Sequence, residues 1–146
     1  AKTLLIMKDP ASGPIAVTLL ILVMLIKFVM LLELLRQQHY LAIVFAVTLA
    51  RCALPLLFLT TPYVRQGGIG AILVANLPRT EIKWVLASIV ALSLIFSGFT
   101  LLISAFIVFL LLRYAMELRL NGTTGDTAGA MVEILETTIL ITAVII

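Results

Sequence analysis

Charge is scarce in this sequence. Only 12% of its 146 residues are Asp, Glu, Lys or Arg, where a soluble domain carries roughly 25%. Hydrophobic residues make up 63% and the mean hydropathy is +1.26. These values argue against a water-soluble globule. The net charge of +3 is too small for a nucleic-acid footprint and reads as a topology signal. Histidine and cysteine occur once each, as His39 and Cys52. That leaves no His/Cys cluster at metal spacing and no intrachain disulfide. There is no serine-protease arrangement, no standard phosphate-loop pattern and no obvious internal repeat. No basic segment followed by an apolar stretch and a small-residue cleavage site is present, so no signal peptide is expected.

What remains is a series of long apolar runs. An apolar run of about 20 residues crosses a bilayer as a helix, because only a helix satisfies its own backbone there. The expected fold is therefore all-α, a single polytopic membrane bundle of about five spans over residues 1–146. The first run is "PIAVTLLILVMLIKFVMLLELL", 14–35, with Pro14 suited to a first helical turn. The second, 40–61, is closed by Pro62. The stretch from Trp84 to Glu117 is too long for one span, and "SGF" at 97–99 offers a break. Two short helices, 82–96 and 99–119, are expected there. The last span is 125–146.

With five spans, residues 1–13, 62–80 and 118–125 share one side. Lys2, Lys8, Arg65, Arg79, Lys83, Arg113 and Arg119 fall on or near it, and Arg36 on the other. The positive-inside rule makes the first side cytoplasmic. The long loops "IMKDPASGP", "TTPYVRQGGIGAILVANLPRTE" and "RLNGTTGDTAGA" all lie there. This suits an enzyme handling cytoplasmic, anionic substrates near the membrane surface. A transporter more often gathers polar groups near the midplane.

Asp126 opens the last expected helix. It is either a first-turn acid that stabilises the helix dipole, or a ligand for Mg²⁺ or a phosphate-oriented group. Gly122, Gly125 and Gly129 around it permit close backbone approach to a ligand. At about 100° per residue, Glu133 returns to within roughly 20° of Asp126, and Glu136 to within roughly 80°. Acids inside a span face a bundle interior. They either pair with Lys27 or Arg51, or line a cavity that holds a metal or a substrate group. Glu133, about two turns deep, suits a cavity floor, and Glu136 a structural role. Lys8 and Asp9 are interfacial anchors or site groups. Tyr63 and Arg65 either grip a phosphate or ring, or form an interfacial belt.

Four segments, in this order, resemble the cobalamin synthases, membrane enzymes with adenosylcobinamide-GDP ribazoletransferase activity. They are "MKDPASG", Arg51, "TTPYVRQGGIGA" and "NGTTGDTAGAMVEILE", the last the most specific. Pro10 stands where the family has serine. Ala11 and Ala16 replace a basic residue and a glycine, and Asn121 the first glycine of the turn. The family also carries an upstream motif of the form Asp-Gly-x-Ala-Asp-x-x-Asp-Gly, which would end just before this chain starts. The chain is therefore expected to be the C-terminal portion of the enzyme, and it opens on Ala1 rather than methionine.

The resemblance implies a late step of cobalamin biosynthesis. α-Ribazole, or its 5′-phosphate, displaces GMP from adenosylcobinamide-GDP, with Mg²⁺ as cofactor. It implies catalytic roles for Asp126 and Asp9 and a metal shell of Asp126, Asp9 and Glu133. Substrate contacts would come from Lys8, Arg65, Tyr63, Gly122, Thr124 and Gly125. Lys27, Arg51 and Glu136 would be structural charges. The expected partners are the corrinoid and nucleotide substrates, the lipid bilayer, the N-terminal portion of the enzyme and, as an option, further copies of the chain. Two other readings are another Mg²⁺-dependent membrane phosphotransferase, and a transporter subunit using its intramembrane charges.

Overall fold

A computed structural model describes residues 13–65, 69–96 and 98–146. Among these the chain is helical, in the order α1 (Pro14–Arg36), α2 (Tyr40–Thr60), α3 (Ile69–Ala75), α4 (Arg79–Phe96), α5 (Phe99–Leu120) and α6 (Gly125–Ile145). Lys8 and Asp9 lie outside the described residues.

The helix ends follow from local chemistry. Pro14 occupies the first turn of α1, where its missing N–H costs nothing. Gln38 adopts a positive φ of 60°, and His39 N–H reaches back to the Leu34 carbonyl at 2.9 Å. This closes α1 and lets α2 start at once in the opposite direction. Gly98 takes φ 80° between α4 and α5, a conformation open to glycine without penalty. Asn121 ends α5 in the left-handed region. At the start of α6, Thr124 accepts from the Thr127 N–H, and the Thr127 hydroxyl accepts from the Thr124 N–H. This reciprocal cap satisfies two otherwise orphaned donors.

Four helices, α1, α2, α5 and α6, are long and apolar enough to cross a membrane. The chain is thus a multi-pass membrane bundle. α4 differs from them. It carries Arg79, Glu81 and Lys83 in its first turns, so its uncharged part runs only from Trp84 to Phe96. At about 1.5 Å per residue the whole of α4 spans roughly 27 Å, so it still runs from one end of the bundle to the other, as the meeting of Tyr63 with Thr123 requires. The short helix α3 falls where the sequence suggested only loop. Seven residues flanked by glycine and asparagine are too few to carry a helical period.

α6 is the central helix and packs against α1, α2 and α5. Met131, Leu135, Ile139 and Leu140 are fully covered along it. α2 buries Ala46, Leu49, Ala50, Ala53 and Leu57 in the same core. The three alanines let two helix backbones come close, which favours dispersion contacts where lipid offers no hydrophobic drive. α1 buries only Lys27 and Leu34 and otherwise presents apolar side chains outward. Inside α2, Pro55 removes the N–H that would bond the Arg51 carbonyl, yet the helix continues to Thr60.

Candidate functional site

The site is assembled from two chain segments about sixty residues apart. One follows α2 and the other precedes α6. A single parallel bridge pairs Tyr63 with Thr123. Thr123 N–H donates to the Pro62 carbonyl at 2.8 Å, and Val64 N–H donates to the Thr123 carbonyl at 2.9 Å. The two segments therefore form one small clamp at the end of the bundle.

Gly122 makes this clamp possible. A Cβ there would lie 2.3 Å from the Pro62 carbonyl oxygen and 2.6 Å from Val64 Cγ1. The expectation that Gly122 clears space for a ligand is corrected: the neighbouring segment fills that space. Thr124 is corrected in the same way. It is buried, and its hydroxyl is engaged by Thr127 in the helix cap. Tyr63 packs edge-on against Phe58, with ring centroids 6.1 Å apart. A Cβ on Gly70 would meet the Tyr63 ring at 2.6 Å, and one on Gly125 would sit 3.6 Å from its hydroxyl. Tyr63 is thus wedged between α2, α3 and the start of α6.

On this clamp Arg65 Nη1 donates to Asp126 Oδ2 at 2.8 Å. The two side chains remain 41% and 56% exposed, so the pair is open to solutes. Arg113, which the sequence suggested only as a topology charge, braces the region from α5. Its Nε donates to Thr61 Oγ1 at 3.0 Å, and its Nη2 donates to the Thr60 carbonyl at 3.0 Å and to Glu117 at 2.8 Å. The Arg113–Glu117 spacing of four residues is a local signal for that pair. The Thr60 and Thr61 contacts have no such signal.

A second charged group lies about two turns further along α6. Lys27 Nζ, on α1, donates to Glu133 and, at 3.1 Å, to Glu136 Oε1. Arg51 Nη1, on α2, donates to Glu136 Oε2 at 2.9 Å and to the Val47 carbonyl at 3.2 Å. The order Glu133–Lys27–Glu136–Arg51 is a continuous chain of ion pairs. Its inner members are nearly covered, with side-chain exposures of 9% for Lys27 and 13% for Glu136. Its ends are open, at 51% for Glu133 and 59% for Arg51.

Asp126 and Glu133 do not share one metal shell. Seven helical residues separate them by about 10.5 Å along the axis, while Mg²⁺ holds its ligands at about 2.1 Å. No group of three His, Cys, Asp or Glu converges among the described residues. Asp126 alone does fit. It is a half-exposed hard oxygen donor, and Mg²⁺ commonly takes one or two carboxylates together with substrate phosphates and waters. Glu133 is engaged by Lys27. An apolar cavity of about 570 Å³ is lined by residues such as Leu49, Phe109 and Leu135 and by no charged side chain.

Residues 1–144 match the family model described as cobalamin-5-phosphate synthase. The chain is similar to proteins named adenosylcobinamide-GDP ribazoletransferase. It is 50% identical to the one from Pseudomonas fluorescens over 96% of this chain and 59% of that protein. With the Stutzerimonas stutzeri protein the identity is 50%, over 97% of this chain and 58% of the relative. With that of Pseudomonas aeruginosa it is 48%, over 96% and 58%. The chain therefore spans under two thirds of the length of these relatives. No solved structure matches it. The match over residues 1–144 makes this chain a member of the cobalamin-5-phosphate synthase family.

Proposed function

We propose that the protein containing this chain joins adenosylcobinamide-GDP to α-ribazole, or to its 5′-phosphate, and releases GMP. Family membership together with about 50% identity to ribazoletransferases is the observation that carries this reading. A ribose hydroxyl of the ribazole attacks the phosphorus attached to the cobinamide. A new phosphorus–oxygen bond forms, the bond to the bridging diphosphate oxygen breaks, and GMP leaves with that oxygen. The product is adenosylcobalamin or its 5′-phosphate.

This chain's residues supply positioning and charge. Arg65 meets the phosphate oxygens, to which a guanidinium fork is matched in shape. Asp126 would hold Mg²⁺, which when bound offsets charge on the diphosphate. Tyr63 fixes the loop that carries Arg65. Gly125, exposed and lying under the Tyr63 hydroxyl, would let the diphosphate approach the start of α6, where N–H groups and the dipole favour an anion. Lys8 and Asp9 enter the proposal from their motif alone. The part of the relatives' length beyond this chain would contribute further acidic groups. The long loops face the cytoplasm of a bacterial or archaeal inner membrane, as the basic residues near them support.

The test is GMP release from adenosylcobinamide-GDP with α-ribazole 5′-phosphate and Mg²⁺, in nanodiscs. Asp126→Asn and Arg65→Ala are expected to lower the rate at least about 100-fold, the scale of losing one charge-stabilising group. Full rates in both variants would sink the assignment of the site. Guanosine nucleotide release without any ribazole acceptor would sink the reaction.

A further inference from the structure

The contact between Arg65 and Asp126 neutralises both groups on which the proposed function relies. Nη1 of Arg65 donates to Oδ2 of Asp126 across an exposed surface. In this state the guanidinium is engaged by a carboxylate rather than a phosphate, and the carboxylate by a guanidinium rather than a cation. The main-chain bonds of the clamp hold the two segments together independently of this pair.

We propose that the Arg65–Asp126 pair is a latch, opened jointly by a diphosphate and its divalent cation and poorly by either alone. This rests on the substrate class of the proposed function. An anion arriving alone would take Arg65 and leave its own charge facing the Asp126 carboxylate. A cation arriving alone would take Asp126 and leave itself facing the guanidinium. When both arrive, each new contact joins opposite charges and no like charges face one another. The clamp keeps the separated groups adjacent, which matches a ligand whose anionic oxygens and cation are adjacent. The latch is weak enough to open, since an exposed pair of this kind is worth a factor of about 1.4–5 in an equilibrium. Charge-assisted contacts to phosphate are stronger than that.

The experiment uses the purified protein in phosphatidylcholine nanodiscs, with two binding probes and no turnover. Free Mn²⁺ is titrated and followed by its electron paramagnetic resonance signal. A fluorescent GDP analogue is titrated in excess EDTA and followed by anisotropy. Arg65→Gln is expected to tighten Mn²⁺ binding in the absence of nucleotide by about 2–5-fold, the value of the released latch. Asp126→Asn is expected to tighten GDP-analogue binding in the absence of cation by about 2–5-fold. A structural role alone would weaken binding or leave it unchanged in both variants. Helix content by circular dichroism checks the fold, and if one variant fails to fold, the other decides. If wild type binds both probes and neither variant tightens, the latch is overturned while the substrate class stands. If wild type binds neither probe, alone or together, both readings fall.

Discussion

α6 carries two sets of ion pairs about two turns apart, and their surroundings make them opposite in kind. Asp126 meets Arg65 at the open end of the bundle, where both side chains keep about half their surface exposed. Glu136 meets Lys27 and Arg51 between packed helices, with Lys27 and Glu136 almost covered. The bonds have similar lengths, 2.8 Å in the first case and 2.9–3.1 Å in the second. Geometry does not separate them; burial does. An exposed pair stabilises by about 0–1 kcal/mol, because water competes for both partners. A covered pair adds little over an apolar replacement, but losing one partner costs about 3–5 kcal/mol, because the other charge is left without water or counterion. The outer pair is suited to exchange its partners for a ligand, and the inner chain to hold α1, α2 and α6 together.

The largest effect should come from breaking the inner chain. Lys27→Met removes the cation shared by Glu133 and Glu136. Glu136 keeps Arg51 and Glu133 is half-exposed, so the expected destabilisation is about 1–3 kcal/mol, the scale of a lost charged hydrogen-bond partner. Thermal unfolding in detergent, monitored by circular dichroism, measures it. Adding Glu133→Gln to that variant should recover part of the loss, whereas Glu136→Gln would in turn leave Arg51 without its carboxylate. A single variant as stable as wild type would refute the covered chain.

Gly122→Ala comes next. Its new methyl would press on the Pro62 carbonyl, and overpacking of this kind costs about 1–3 kcal/mol. It should also separate Arg65 from Asp126, seen as loss of the coupling between them in a double-mutant cycle. Retained coupling would show that the clamp does not set the outer pair.

Thr124→Ala removes the cap of α6 and should cost about 1 kcal/mol. Hydrogen exchange is expected to rise first at the amide of Thr127. Uniform exchange across α6 would argue against the cap.

The smallest effect is that of the outer pair itself. Arg65→Ala should change stability by no more than about 1 kcal/mol. The coupling of Arg65 to Asp126 should fade as salt rises toward 1 M, where the screening length is about 3 Å. The effect of Lys27→Met should persist at the same salt. Equal salt sensitivity at both places would erase the distinction between them.

Much of the scaffold was legible because hydropathy is a local property. The apolar runs after Pro14 and Tyr40, and the break beside Gly98, coincide with helix ends in the structure. Asp126 and Glu133 were placed on one stripe by helical periodicity alone. The choice between metal shell and ion pair was not legible. It depends on how far α1 and α2 slide along α6, and hence on whether Lys27 and Arg51 reach the acids. The surroundings of Gly122 were not legible for the same reason: its neighbours, Pro62 and Val64, are distant in sequence and become contacts only through the clamp. Thr124 differs, because its partner Thr127 is three residues away and the cap is a local feature.

The sequence by itself determined that the chain is a helical membrane bundle, where its helices turn, and which family it resembles. These follow from composition, from period and from motifs, each read within a short window. The tertiary structure alone decided which charges meet, which of them are covered, and that Arg65 and Asp126 sit together at the open end. Ion-pair partners are chosen by helix packing across the fold, and burial, which sets the strength of each pair, exists only once the helices have packed.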